Sequence, residues 1–217
     1  MVDTRNCTDD RQGATGITAV VLVLPGGTDF SYQPFRRTQG SALRMYPFTW
    51  SLRAATVGRA VVRQVEYRVY GWNGGQASPL PYARAALDRA KADHPGADVI
   101  LVGHSMGGRV AAHLAADPAV SGVLALAPWW QFADWRHIHD EARVHAIHGT
   151  ADTRTYAHRT QRGIAELQER GVAASYTAIS GGGHAMLDHV GQWHGDAIRF
   201  VRSLLSPDTA PGRASER

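Results

Sequence analysis

Three residues of this chain pair reactive side-chain types with positions where their chemistry can be organised: Ser105, Asp152 and His184. A serine hydroxyl is a poor nucleophile at neutral pH and needs a general base within hydrogen-bond reach. An imidazole can be that base once a carboxylate holds it in one tautomer. Ser105 sits at the centre of Gly103-His104-Ser105-Met106-Gly107, a G-x-S-x-G pattern. In a chain with 23 glycines the bare pattern also fits a plain turn, so its context decides. Ahead of it runs Val99-Ile100-Leu101-Val102, apolar and short enough for a buried strand. Behind it, residues 110–116 are alanine-rich and helical in composition, stopping at Asp117-Pro118. A strand that reverses through a serine into a helix leaves no room for side chains two positions before and after it, and glycine fills both. Such a turn lifts the hydroxyl above the sheet and aims the first helical N–H groups toward it, where they can hold a developing oxyanion.

His184 follows the last apolar strand in Ser180-Gly181-Gly182-Gly183, where small residues let the chain fold an imidazole back over the sheet. The plainer alternative is a histidine in a surface loop. Asp152 ends the stretch His148-Gly149-Thr150-Ala151-Asp152, just past the preceding strand, with room for one helix and one strand before His184. Its plainer alternative is a helix N-cap. Asp134, Asp140 and Asp188 are weaker acids, since none follows a strand so directly. Two backbone donors are needed for an oxyanion. One is the N–H of Met106; the other is assigned to Gly27 in Pro25-Gly26-Gly27-Thr28, with Gly26 or Thr28 as alternatives.

The elements that must position these groups alternate along the chain. Strands are expected at residues 18–24, 60–70, 99–102, 120–127, 142–147 and 173–179, and helices at 49–58, 81–93, 110–116, 155–170 and 187–205. Residues 29–47 read as a long loop over the strand ends. Continuously apolar strands separated by helices define an α/β protein: a mostly parallel sheet of six strands with helices on both faces. Ligands of such sheets bind beyond the carboxyl ends of the strands, where every motif above falls. Residues 1–16 are expected to be a flexible leader, 17–205 a single domain, and 206–217 a disordered tail rich in Pro, Ser and charge.

Composition narrows the function further. The 217 residues are 44% hydrophobic and 19% charged, with a net charge of +4. The basic residues are arginines apart from Lys91 and are dispersed, without the basic and aromatic runs of a nucleic-acid surface, so no nucleic-acid partner is expected. Cys7 is the only cysteine, which excludes an internal disulfide. With no long apolar run and no signal-like leader, no membrane association is expected and a cytoplasmic location is the default. His137, His139, His145, His148 and His158 crowd one region, but no Cys and no helical H-E-x-x-H accompanies them, and no metal is expected.

GHSMG around Ser105, HGTAD at Asp152 and GGGHAM at His184 together resemble the α/β-hydrolase superfamily over residues 18–205, in the order Ser, Asp, His found in that fold. Two departures stand out. Pro25-Gly26 replaces the His-Gly that many members carry after the first strand. Residues 129–141 are too short for the helical lid of larger members. The resemblance implies a small lidless serine esterase or thioesterase with no cofactor, acting on a small-molecule ester or thioester through an acyl-enzyme. Its substrate cleft is expected to be lined by Gly26, Phe30, Trp72, Met106, Trp129 and Trp130, the adjacent indoles because both cannot point into the core. An acyltransferase, lyase or perhydrolase-like enzyme on the same three residues is the alternative, and a non-catalytic binding protein a more distant one.

Overall fold

The computed structural model describes residues 16–206; the rest of the expected leader, with Cys7, and residues 207–217 of the tail lie outside them. Six parallel strands form one sheet in the order β2-β1-β3-β4-β5-β6: β1 (Ala19–Leu24), β2 (Ala60–Gln64), β3 (Asp98–His104), β4 (Val120–Leu126), β5 (Arg143–Gly149) and β6 (Ala174–Ile179). The helices are α1 (Gly40–Leu43), α2 (Tyr46–Ala55), α3 (Leu80–Asp93), α4 (Met106–Leu114), α5 (Ala157–Glu169) and α6 (Val190–Leu205). No helix among the described residues is long and apolar enough to cross a membrane.

Side chains that alternate along β1 build two separate cores. Val20, Leu22 and Leu24 pack with Leu87 of α3, Val110 of α4 and Ile164 of α5. Ala19, Val21 and Val23 pack with Phe48 and Leu52 of α2 and with Trp193 and Val201 of α6. Burial on both faces is why these strands are continuously apolar rather than alternating.

Residues 29–47, expected as a loop, carry α1 and the start of α2. Two further elements differ from expectation for clear reasons. The second strand stops at Gln64, which pairs with Val23 near the end of β1; one further bond, from the Val65 amide to the Val23 carbonyl at 2.8 Å, closes the ladder. Val65 and Tyr67 stay buried all the same, and Val69 makes an isolated bridge to Pro34. Helix α4 begins at Met106, ahead of the alanine-rich stretch, because the turn at Ser105 feeds straight into it. Two glycines thus occupy its first turn against their helix propensity, a cost of about 1 kcal/mol each that their packing must offset.

The topology places the site. After β1 the chain runs to β2 on one side and then returns to β3 on the other, so the strand order reverses between β1 and β3. Ligands of open α/β sheets bind at that crevice. The end of β1 carries Pro25-Gly26-Gly27 and the end of β3 carries Ser105. The connection from β4 to β5 holds a single 3-10 turn, Asp134–His137, and no cap domain.

Candidate active site

Ser105 occupies a strained backbone conformation, φ 55° and ψ −118°, at the junction of β3 and α4. The flanking glycines are required by backbone packing. A Cβ on Gly103 would lie 2.3 Å from the Gly107 carbonyl oxygen, and one on Gly107 would lie 2.0 Å from that of Leu24. The helix therefore rests directly on the ends of β3 and β1.

His184 reaches Ser105 from the turn after β6, its Nε2 3.0 Å from Oγ. Its Nδ1 lies 2.7 Å from Asp152 Oδ2. An ionised carboxylate can only accept, so the proton sits on Nδ1 and Nε2 is left free to accept from the serine hydroxyl. The Asp152 side chain is fully buried. Its Oδ1 accepts the amides of Arg154 (2.7 Å) and Thr155 (3.0 Å), and Oδ2 also accepts the Thr155 hydroxyl at 2.8 Å. His148, buried as well, donates Nε2–H to Oδ2 at 3.2 Å while its Nδ1 meets the Thr160 hydroxyl. Burial alone would raise the Asp152 pKa, but the hydrogen bonds from His148, His184 and the Thr155 amide outweigh it and hold the carboxyl far below its usual range. The N-cap of α5 is Tyr156, so Asp152 does not cap that helix. The weaker acids are engaged elsewhere: Asp134 with Arg109 and His113, Asp140 with Arg170.

Of the three residues weighed as second oxyanion donor, Thr28 is committed, since its amide donates to the Tyr70 carbonyl at 3.2 Å. The amides of Gly26, Gly27 and Met106 take no backbone acceptor among the described residues. Gly27 has no room for a side chain, because a Cβ there would lie 2.3 Å from Tyr70 O and 2.5 Å from Met106 Cε.

The cavity over Ser105 has a volume of about 330 Å³ and is bordered by Gly26, Gly27 and His184, but not by the expected aromatics. Trp72 (3% exposed) and Trp130 (1%) lie in the core, as does the Met106 side chain. The Arg109 guanidinium lies 4.0 Å from the Trp72 ring centroid and 4.9 Å from that of Trp129, while Arg109 Nε pairs with Asp134 at 2.7 Å. These rings bury an ion pair that fastens the β4–β5 connection to α4, which is why they do not face the cavity. Trp130 donates its indole N–H to the Gly108 carbonyl at 3.1 Å. Only one of the adjacent indoles points inward; Trp129, half-buried, borders a second cavity beside the first. Phe30 is 68% exposed and stacks edge-on against Tyr32.

His104 has a role that its motif position did not disclose. Its Nε2 lies 2.9 Å from the His184 carbonyl, which can only accept, so this nitrogen carries the proton. Burial above all, then the neighbouring His184 and Arg44, hold its pKa well below the usual histidine range, and it stays neutral. The ring ties the turn that bears His184 to the end of β3. His104→Phe, which keeps a ring and removes the donor, is expected to cost about 1–3 kcal/mol in urea unfolding. An unchanged midpoint would show that the bond holds nothing.

The doubly flanked parallel sheet and the elbow at Ser105 define a class, and comparison with known proteins gives the same one. The model of the α/β hydrolase family matches residues 77–204, more than half of the chain. The chain belongs to the α/β hydrolase family. No curated protein matches it. Among solved structures it is similar to a serine hydrolase without a lid from Xanthomonas campestris, at 18% identity and a TM-score of 0.68 over 92% of this chain and 87% of that one. It is also similar to an acetyl ester-xyloside bifunctional hydrolase from Caldicellulosiruptor lactoaceticus, at 15% identity and a TM-score of 0.66 over 88% and 86%. Est1E from Butyrivibrio proteoclasticus aligns at 12% identity and a TM-score of 0.63 over 89% and 90%. At these identities the likeness is one of fold.

Proposed function

We propose that the protein is a serine hydrolase of carboxylic esters or thioesters that works without a cofactor through an acyl-enzyme. The observation that carries this reading is the hydrogen-bonded chain from Asp152 through His184 to Ser105, ending on an elbow that opens into a cavity. As Ser105 Oγ attacks the substrate carbonyl, His184 Nε2 takes its proton, and Asp152 stabilises the resulting imidazolium. The carbonyl oxygen becomes an oxyanion held by the amides of Met106 and Gly27. Collapse breaks the bond to the alcohol or thiol, which leaves with the proton from His184. Water then gives a proton to His184 and attacks the acyl carbon, and the acid departs as Ser105 regains its hydrogen.

A cavity of about 330 Å³ is near the lower end for ligand sites. Among p-nitrophenyl esters, kcat/KM is therefore expected to peak between acetate and butyrate and to fall for octanoate, with a burst of one p-nitrophenol per chain where deacylation limits. No turnover of any member, together with no burst, would overturn the hydrolase reading. Release only on adding a second nucleophile would favour an acyltransferase.

A further inference from the structure

The cavity over Ser105 contains two guanidinium groups, Arg44 and Arg154, and no aspartate or glutamate borders it. Elsewhere the chain pairs its buried arginine: Arg109 meets Asp134 at 2.7 Å, with both side chains under 10% exposed. Arg44, half-buried at the C-terminal end of α1, has no acid partner among the described residues, and its Nε is sealed from solvent without a hydrogen bond. Ser41, one turn earlier and 8% exposed, has an equally sealed and unpartnered hydroxyl in the same wall. His104 Nδ1 is a third such atom. Half of the six sealed, unpartnered side-chain polar atoms among the described residues thus belong to residues that line this one cavity.

The platform beneath them is fixed. The Gln64 amide group donates to the Ala42 carbonyl at 3.1 Å, and Met45 is buried beside Phe48 and Leu52 of α2. Burial and the like charge of Arg154 both lower the Arg44 pKa, yet a guanidinium stays charged at any working pH. A cation held partly out of water, beside another cation and without an acid partner of its own, is costly unless a ligand supplies the opposite charge.

We propose that this wall is an acid-recognition subsite: Arg44, with the Arg154 charge beside it, binds a carboxylate on the ester substrate. The proposal rests on the serine-hydrolase reading for the word substrate and on the wall's own geometry for the carboxylate. A guanidinium fork takes a carboxylate in a planar two-point contact, and a second positive charge nearby adds to the attraction. The preferred esters are then half-esters of small dicarboxylic acids, or esters of hydroxy acids, and the free acid released should compete as product.

The test compares esters of equal length that differ in charge. Mono-p-nitrophenyl adipate is set against p-nitrophenyl hexanoate for a carboxylate on the acyl side, and 4-acetoxybenzoate against its methyl ester for one on the alcohol side. The full chain is expected to favour the anionic member of at least one pair by about tenfold or more in kcat/KM, the worth of one charge-assisted hydrogen bond. In Arg44→Met that ratio should fall about tenfold, and in Arg154→Gln by less. Neutral esters cleaved with the anionic members no faster would overturn the subsite and leave the hydrolase standing. A parallel arm needs no turnover: adipate binding to Ser105→Ala, read by calorimetry, should weaken about tenfold when Arg44→Met is added. Equal affinities, or no binding to Ser105→Ala while circular dichroism shows it folded, would overturn the subsite whatever the fate of the hydrolase reading.

Discussion

Asp152→Asn is expected to lower kcat by about ten-thousand-fold while leaving the fold intact, an effect of the size seen when a triad carboxylate becomes an amide. The reason lies in who points at this carboxylate. Oδ2 receives His184 Nδ1–H, the Thr155 hydroxyl and His148 Nε2–H, and Oδ1 receives two backbone amides. An asparagine has one oxygen and one donor group, so whichever way it turns, an N–H meets an N–H. If the amide nitrogen faces His184, the imidazole is driven to the other tautomer, with its proton on Nε2, and can no longer accept from Ser105. If it faces the loop, it opposes the amides of Arg154 and Thr155. Steady-state turnover of p-nitrophenyl acetate reads the loss. Retention of more than about a tenth of wild-type kcat would show that Asp152 does not orient the base.

Gly107→Ala is expected to be the most damaging single methyl in the chain. Its Cβ would fall 2.0 Å from the Leu24 oxygen and 2.7 Å from that of Pro25, both backbone atoms that no rotamer change can move. To admit it, α4 must lift off the end of β1, and with it go the Met106 amide and the approach of the Gly26-Gly27 turn. A loss of about 4 kcal/mol or more is expected, in the range reserved for a forced backbone shift. Urea unfolding measures it, with soluble yield as a coarse readout. A variant with the wild-type midpoint would mean that the elbow can relax at little cost.

Much of this was legible from residue types because strict steric and chemical demands lie behind it. Gly103 and Gly107 occupy places that admit no side chain, and Asp152 and His184 stand where adjacent parallel strands end. Parallel strands buried on both faces are plain in composition, so β1 and β4 fall within a residue or two of their expected limits. What escaped was side-chain direction beyond the strand ends. Trp72 and Trp130 are expected from the sequence to line the cleft and instead lie in the core, and the buried Arg109–Asp134 pair that draws Trp72 inward joins residues far apart in sequence. Arg44 lay inside a stretch read only as a loop over the strand ends. Its placement beside Ser105 depends on α1 docking through Gln64, a contact that no local pattern announces. The second histidine on Asp152, His148, stands in HGTAD itself, but in the sequence it figures only among the histidines weighed and set aside as metal ligands, not as the partner of a carboxylate four residues on.

The most direct measurement is covalent labelling of the folded chain by a fluorophosphonate, with the adduct located by mass spectrometry. A single adduct on Ser105, absent from Ser105→Ala and strongly slowed in His184→Ala, is the expected result, because only a serine whose proton has an acceptor 3.0 Å away attacks phosphorus at a useful rate. A folded wild-type protein that takes no label, or takes it equally after Ser105→Ala, would contradict the central claim that this elbow holds an activated nucleophile.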